Sequence, residues 1–286
     1  MKAKLFSLFF ILLIAAALLS FAEASETLTS GDYQYTLEDD GSALITKYTG
    51  KDQELVIPSV LDGHPVTEIG AWAFSPNDRV TSLSIPATVR RIGEYAFARC
   101  TQLTSLTIPE GTTFIGDNAF SHCYILREVF IPDTLTQVGW NPFSGCQKLT
   151  SIHVSPSHPT LEVIDGVLFG KTDRRLICCP IGLGLTAYDI PQGTEIIGKL
   201  AFFEYFSLTS FTIPDSVTRI EEEAFWYCHG LTNVTIPDTV TYIGSYAFSH
   251  CGVLTLTVTE GSCAEQHCIK YKVFYRYPNY LDWLDD

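Results

Sequence analysis

The sequence predicts a solenoid, a fold in which short coils of chain stack along one axis. Two dipeptides lead to this prediction: Ile-Pro occurs seven times and Ala-Phe six times, and within each run the copies follow at 23-residue intervals. A cysteine closes five of the copies, three residues after the aromatic position. The segments TIPDSVTRIEEEAFWYC (212–228) and TIPDTVTYIGSYAFSHC (235–251) show the register. Units of this length cannot bury an apolar side alone, so they must stack.

The first 24 residues are predicted to be a secretory signal peptide. Lys2 and Lys4 precede the apolar run 5–19, and residues 22–24 form an A-x-A cleavage pattern. The apolar run is shorter than the about 20 residues that a membrane-spanning helix needs. We therefore expect cleavage after Ala24, a secreted or non-covalently surface-associated product, and no stable membrane insertion of the mature chain.

The charge of the chain excludes two classes of partner. The formal net charge is −14 at pH 7. Such a surface repels phosphate backbones and anionic lipid headgroups. Nucleic acid and membrane surfaces are therefore not expected as partners.

The first part of each repeat is predicted to be a half-buried strand. Leu106 and Ile108 alternate with Ser105 and Thr107, which is the period of a strand with one buried face. Pro109 follows at once and ends the strand, because proline lacks a backbone N–H. Stacked coils then place these strands in a parallel sheet on one face of the solenoid.

The second part of each repeat is predicted to be a short helical or 3₁₀ turn. Ile115, Gly116, Ala119 and Phe120 fall at i, i+1, i+4 and i+5. That spacing suits a turn with one apolar edge, and the phenylalanine fills the space between coils.

The repeat resembles that of the BspA-like (Treponema-type) leucine-rich-repeat surface and secreted proteins. The shared pattern is L-T-x-L-x-I-P-x-x-V-x-x-I-G-x-x-A-F-x-x-C. The resemblance implies a leucine-rich-repeat solenoid over 51–259, with a β-hairpin cap over 25–50 whose turn is Asp40-Gly41. It also implies a longer irregular coil with an inserted hairpin at about 155–188.

The C-terminal residues 260–286 are predicted to cap the last coil. The period stops at Glu260, residues 262–270 are expected to form a short helix, and 272–277 a strand. An acidic aromatic tail follows. Terminal units of a solenoid need such a cap, because their outer side has no neighbour.

Five of the nine cysteines share one repeat position and are predicted to stack as buried free thiols. Asn77 and Tyr205 occupy the same position in other coils, which a required disulfide would not tolerate. A disulfide between Cys263 and Cys268 stays an open alternative. The spacing of structural zinc ligands is absent, so neither a metal nor a cofactor is expected.

The outward positions of the predicted sheet are mostly Ser and Thr, and they depart from this in the middle of the chain. There the outward residues include a carboxylate, a phenyl ring and an imidazole, and Asn-Val-Thr further along forms a glycosylation sequon. The predicted partner-binding residues are Glu128, Phe130, Ser151, His153 and Asn233. Aromatic residues are enriched at binding hot spots. Whether segment 155–188 covers Phe130 stays open.

The resemblance implies a non-catalytic protein that binds an extracellular or host protein, as in adhesion. The alternative is a carbohydrate- or cell-wall-binding protein, with the Ser/Thr sheet and Phe130 contacting glycans. An enzyme is a third hypothesis, since Glu128, Ser151 and His153 have the composition of a nucleophile, base and acid set. No nucleophile elbow or oxyanion-hole loop accompanies them, so no catalytic residue is predicted.

Overall fold

The structure is a computed structural model that describes residues 26–278. The predicted signal peptide and the end of the acidic tail, 279–286, lie outside the described residues. The described chain is a β-solenoid of about 10 coils of ~23 residues, with one C-terminal α-helix. The predicted leucine-rich-repeat solenoid is therefore confirmed. Among residues 26–278, no helix has the length and apolar character needed to cross a membrane.

The described chain contains 24 strands, one α-helix and one 3₁₀ helix. The strands are β1 (Leu28–Ser30), β2 (Tyr33–Leu37), β3 (Ala43–Tyr48), β4 (Glu54–Val56), β5 (Val60–Leu61), β6 (His64–Ile69), β7 (Ser82–Ser84), β8 (Arg91–Ile92), β9 (Ser105–Thr107), β10 (Phe114–Ile115), β11 (Glu128–Phe130), β12 (Gln137–Val138), β13 (Ser151–His153), β14 (Leu161–Ile164), β15 (Val167–Gly170), β16 (Arg175–Cys178), β17 (Ala187–Asp189), β18 (Ile196–Ile197), β19 (Ser210–Thr212), β20 (Arg219–Ile220), β21 (Asn233–Thr235), β22 (Tyr242–Ile243), β23 (Thr255–Thr257) and β24 (Phe274–Arg276). The helices are the 3₁₀ helix Ile181–Leu183 and α1 (Cys263–Tyr271).

One face of the solenoid consists of parallel strands of three residues, one from each coil. The ladders on this face are β4–β7, β9–β11–β13, β17–β19 and β21–β23–β24. In β11 the middle residue, Val129, is buried, whereas Glu128 and Phe130 on either side reach the surface. The alternation follows from the two-residue period of a strand, and it places the predicted outward residues on the outer side of this sheet.

A second parallel ladder on the neighbouring face corrects the predicted helical turn. The segment after the proline contains a two-residue strand, as in β10, which pairs with both β8 and β12. These strands continue as β6–β8–β10–β12 and β16–β18–β20–β22. Coils held at a strand spacing of about 4.8 Å on both faces leave no room for a helix about 10 Å wide in every coil. The fold class is as predicted, but each coil carries two strands.

Residues with left-handed backbone conformation build the turn that contains the Ala-Phe pair. Tyr95 and Arg99 have φ values of 52° and 58°. Their N–H groups donate to the carbonyl oxygens of Asp117 and Ser121 in the next coil, at 3.0 and 2.8 Å. A helical turn would use these N–H groups within the same coil. Here they join neighbouring coils instead.

The repeated phenylalanines stack as a column inside the solenoid. Ring centroids of neighbours are 4.8, 5.2 and 6.0 Å apart in the first half, and 4.8 and 5.2 Å apart in the second. All of these rings are buried. The column members are Phe74, Phe97, Phe120, Phe143, Phe202, Phe225 and Phe248.

The cysteine column runs beside the phenylalanine column, and its five members are buried free thiols, as expected. The other four described cysteines are free thiols as well, and no disulfide joins Cys263 to Cys268 in this structure. Each column thiol donates to the carbonyl oxygen of the phenylalanine in the coil before it. The Sγ–O distances are 3.9 Å for Cys100, 3.5 Å for Cys123, 3.2 Å for Cys146, 3.0 Å for Cys228 and 3.1 Å for Cys251. Cysteine here is a small apolar residue that also satisfies a buried carbonyl group.

The insertion in the middle of the chain forms a three-stranded antiparallel sheet that divides the core. β14 pairs with β15 and β15 with β16. All four residues of β15 are buried: Leu168 belongs to the first apolar cluster, whereas Val167 and Phe169 belong to the second. Successive side chains of a strand point to opposite faces, so this strand is a wall between two cores.

The caps at both ends match the predicted elements. β2 and β3 form the N-terminal hairpin, and the N–H of Gly41, at φ 80°, donates to Glu38 in its turn. At the other end Ser262 caps α1 by accepting the N–H of Glu265 at 3.2 Å, and β24 pairs with β23. The division of the chain into the predicted segments stays a prediction.

Candidate partner-binding surface

Two stacked rings mark the outer side of the sheet near its centre. β11 and β13 are neighbours in register, with Phe130 opposite His153. The ring centroids are 4.3 Å apart and the ring planes differ by 9°. A 23-residue repeat paired in register brings residues 23 apart together, which is how this pair forms. We call Glu128, Phe130, Ser151 and His153 the ring patch.

Glu128 completes the ring patch on the side of the imidazole. Glu128 lies opposite Ser151, and its Oε2 is 3.7 Å from Nε2 of His153. Both side chains are about half exposed, at 47% and 48%. A contact between side chains this exposed is screened by water and stabilises the fold by at most about 1 kcal/mol. The carboxylate of Glu128 and the imidazole of His153 therefore keep most of their capacity to bind other groups.

The insertion leaves Phe130 uncovered. The phenyl ring keeps 40% of its surface exposed. The insertion is held instead at the end of the strand, where Nε2 of buried His158 donates to the carbonyl oxygen of Pro132 at 3.1 Å. Nδ1 of the same ring accepts the N–H groups of Thr160 and Leu161. This fixed imidazole positions the insertion beside the ring patch rather than over it.

Asn233 lies apart from the other four candidate residues. It begins β21 and is paired with Thr255 on β23, in a ladder that contains neither β11 nor β13. Its side chain is exposed. The structure therefore brings four of the five candidates together and leaves Asn233 as a separate surface residue.

The geometry of the ring patch offers little to nucleophilic catalysis. Among the described residues, no side-chain hydrogen bond joins Ser151 to His153, and the imidazole lies flat against Phe130. A serine nucleophile needs a base within hydrogen-bond reach and donors for the developing oxyanion. Within residues 26–278 no group of three or more His, Cys, Asp or Glu residues is arranged to hold a metal ion.

A second aromatic surface lies on the turn edge of the solenoid and was missed at the sequence level. Its rings come from the positions on either side of the column cysteines, in coils on both sides of the insertion. We call it the aromatic edge; its members are His122, Tyr124, Phe203, Phe206, Trp226, Tyr227, His229 and His250.

The rings of the aromatic edge form a connected set. Tyr227 and His250 are stacked at 4.6 Å between centroids, and Phe206 and His229 at 5.7 Å. Phe203 joins the two parts of the chain, since its ring lies 5.7 Å from Trp226 and 5.9 Å from His122. Burial lowers the pKa of His122, with the charge of Arg99 as a smaller cause. This imidazole is therefore held in its neutral form at pH 7.

Gly145 makes the contact across the insertion feasible. Its φ is 71°, and a Cβ atom there would lie 3.0 Å from Cδ2 of His122. Because the glycine has no side chain, the imidazole of His122 extends over it toward Phe203. The 23-residue period alone identifies the repeat positions that make up the aromatic edge. It does not identify the contact of His122 with Phe203, because these residues are 81 apart in the chain and the insertion lies between them.

Comparison with known proteins gives a family match and a fold match. A family model described as BspA type leucine rich repeat region matches residues 67–180 and 182–279, with six copies. No curated protein matches the chain. The crystal structure of a leucine-rich repeat protein from Eubacterium ventriosum is 23% identical, with a TM-score of 0.61 over 83% of this chain and 73% of that chain. The pneumococcal vaccine antigen PcpA is 17% identical, with a TM-score of 0.61 over 82% of both chains. At these identities the likeness concerns the fold.

Proposed function

The chain belongs to the BspA type of leucine-rich repeat proteins, and from this premise we propose that it is an exported, non-catalytic protein that binds another protein. The partner is an extracellular or host protein, as in adhesion to a matrix. The proposed contact surface is the ring patch on the exposed sheet. The observation that supports it most directly is the exposed stacked pair of Phe130 and His153.

An exposed phenyl ring in the middle of a sheet needs a reason, because most outward positions of this sheet carry small hydroxyl residues. Burying an aromatic side chain on binding releases water from its apolar surface, and such residues dominate binding energy at interfaces. Stacking on His153 fixes the phenyl ring before a partner arrives, so less rotamer entropy is lost on binding. Glu128 adds a charged group at the rim of this patch, where charges contribute to orientation and association rate.

Export is proposed on the sequence and on the family. Proteins of the BspA type are typically surface-exposed or secreted. The N-terminal pattern that ends at Ala24 supports cleavage and release, and the mature chain begins at residue 25. We propose no catalysis because, among the described residues, the hydroxyl of Ser151 donates no activating hydrogen bond to His153.

The test measures binding of the mature chain, residues 25–286, to immobilised extracellular-matrix proteins and to polysaccharides. The variant is Phe130→Ser with His153→Ser, which removes both rings and keeps a strand-compatible surface. Thr235→Ser with Thr257→Ser is the matched control, because these residues hold the same positions on neighbouring strands β21 and β23. Thermal unfolding of each variant checks that the fold is intact.

We expect a matrix protein to bind the wild type and the control with similar affinity. The same protein should bind the variant that lacks both rings at least tenfold more weakly. Equal binding by the ring variant would move the contact surface elsewhere on the solenoid. Binding to polysaccharide alone would replace the protein partner with a glycan. Measured hydrolytic activity that Ser151→Ala abolishes would overturn the non-catalytic assignment.

A further inference from the structure

A cavity lies between the N-terminal hairpin cap and the first full coil. Its volume is about 440 Å³, and it is lined by residues 46–50 of the cap and residues 71–79 of the coil. Small-molecule sites typically have volumes of about 300–1,000 Å³. We call it the cap cavity. It is separate from the ring patch and from the aromatic edge, because neither surface contributes a residue to its lining.

The indole of Trp72 forms one wall of the cap cavity. One face of this ring stacks on Tyr95 in the next coil, with the centroids 4.3 Å apart and the ring planes 13° apart. Tyr95 is not among the lining residues, so the opposite face of the indole is the one that borders the cavity. Trp72 keeps 51% of its surface exposed in spite of the stack. It therefore presents a flat apolar face that a second ring holds in place from behind.

The cap leaves this face open because its turn is shorter than the turn of a full coil. Ile45 pairs with Ile69, and the ring of Tyr48 stacks on that of Phe74 at 5.2 Å between centroids. Two residues separate Ile45 from Tyr48, whereas four separate Ile69 from Phe74. The cap therefore lacks the residue that would stack on Trp72 from this side, and the cap cavity takes its place.

The polar side chains of the cap cavity leave much of their bonding capacity unused. Oδ1 of Asn77 accepts the N–H groups of Arg79 and Val80 at 3.0 and 3.2 Å, which fixes the orientation of the amide group. Within residues 26–278, Nδ2 of Asn77 donates to no protein group. In the same part of the chain Lys47, Asp78 and Arg79 form no ion pair. The cavity therefore offers both donors and acceptors to a ligand.

We propose that the cap cavity binds a sugar ring of a neutral glycan, with Trp72 as the stacking surface and Asn77 and Asp78 as partners of the sugar hydroxyl groups. A pyranose ring carries C–H groups on its faces and hydroxyl groups at its rim. The electron-rich face of an aromatic ring attracts such C–H groups, and the polar groups of a site fix the orientation of its ligand.

The charges around the cap cavity favour a neutral ligand. Two of the lining residues, Lys47 and Arg79, are cations and oppose the binding of another cation. The net charge of −14 opposes the approach of an anionic polymer. The inference goes beyond the proposed function, since the protein partner is assigned to the ring patch and the glycan to a different surface.

The experiment measures the binding of cellohexaose, chitohexaose and hexagalacturonate to the mature chain by calorimetry and tryptophan fluorescence. Trp72→Asn removes the stacking surface and keeps a residue type that tolerates the left-handed backbone at φ 60°. Trp140→Asn is the matched control: Trp140 is 45% exposed, but the ammonium group of Lys199 lies 3.7 Å over its ring. Thermal unfolding checks the fold of each variant. Trp72→Phe, which keeps an aromatic face, carries the test if Trp72→Asn is unstable.

We expect cellohexaose or chitohexaose to bind, with a dissociation constant that rises roughly tenfold in Trp72→Asn and less than twofold in Trp140→Asn. Trp72→Phe should bind with an affinity between those of the wild type and Trp72→Asn. Binding should shift the tryptophan emission to shorter wavelength, because the sugar displaces water from the indole of Trp72. This shift should be absent in both Trp72 variants and present in Trp140→Asn.

The Phe130→Ser, His153→Ser variant should bind the hexasaccharide like the wild type, so that failure at the ring patch and failure at the cap cavity are distinguishable. Wild-type affinity in the Trp72 variants would overturn the proposal, as would equal losses in Trp72→Asn and Trp140→Asn. Absence of binding by both neutral hexasaccharides, or binding of hexagalacturonate alone, would overturn it as well.

Discussion

The thiol of Cys228 lies 3.0 Å from the carbonyl oxygen of Phe202, one coil earlier. Both groups are buried, and the same contact recurs at the equivalent cysteines. The thiol fills a small apolar space and supplies a weak second donor to a carbonyl group that also accepts the N–H of Tyr205 at 3.2 Å. Each column cysteine therefore contributes a side-chain contact between two neighbouring coils.

Cys228→Ala should lower the free energy of unfolding by about 1 kcal/mol, because it leaves a small cavity and removes the weak S–H donor. Urea unfolding monitored by circular dichroism measures this change. Cys263→Ala is the control, since Cys263 is only partly buried and lies outside the column, and it should change stability by less than about 0.5 kcal/mol. Equal effects of the two substitutions would show that the column contact contributes nothing of its own.

Thiol labelling should separate Cys263 from the other cysteines. Burial raises the pKa of Cys251 to about 12 and that of Cys268 to about 11, so both are protonated and shielded at pH 8. We expect one fast-reacting thiol per native molecule with a disulfide reagent, and no fast phase in Cys263→Ser. A mature chain without any fast thiol until it is reduced would instead indicate a disulfide between Cys263 and Cys268.

Gly145→Ala should destabilise the protein more than Gly193→Ala. Both glycines have positive φ, at 71° and 89°, so both substitutions carry the cost of a left-handed alanine, about 1–2 kcal/mol. Only the first also places a Cβ 3.0 Å from His122, whereas nothing lies within 4 Å of a Cβ at position 193. We expect a further loss of about 1 kcal/mol in Gly145→Ala. Matching melting temperatures would mean that His122 moves aside without cost.

Stability should rise with pH between about 4 and 6.5 because of His267. This side chain is buried between α1 and the last coil, with its ring 4.6 Å from that of Tyr271. Burial lowers its pKa from 6.5 to about 4, so the unfolded chain binds a proton at a pH where the folded chain does not. The free energy of unfolding should fall by up to about 3 kcal/mol as the pH drops through this window.

The matched variants for this prediction are His267→Leu and His229→Gln. His267→Leu should lose this part of the pH dependence, because no group at that position can bind a proton. His229→Gln, which alters an exposed imidazole, should keep the wild-type slope. An unchanged slope in His267→Leu would assign the pH dependence to other groups.

Periodicity was sufficient to predict the coils and the pairing within the ring patch. A 23-residue repeat stacked in register places Phe130 beside His153 and Glu128 beside Ser151. Residues separated by one repeat length are therefore expected to be in contact. The hairpin around Gly41 follows from the family resemblance and its Asp-Gly turn, and the helix after Ser262 from the end of the period at Glu260.

Periodicity was insufficient where the same apolar spacing suits two conformations. Ile115, Gly116, Ala119 and Phe120 fit one face of a helical turn, but they also fit a two-residue strand followed by a left-handed turn. The choice depends on N–H groups that bond to the next coil, and no local pattern records them. The contact of His122 with Phe203 was missed because the insertion interrupts the period between them.

Because β15 separates the two apolar cores, it closes the end of each core in the middle of the molecule. Its Leu168 closes one apolar column and its Val167 and Phe169 close the other, so each half is a short solenoid that finishes against the same strand. In nearest-neighbour terms, the two halves are coupled through β15 and through side-chain contacts across the insertion, such as that of Phe203 with His122, rather than through another identical coil. A change in the number of coils on one side of β15 would therefore leave the other half with both of its caps, β15 at one end and a terminal cap at the other.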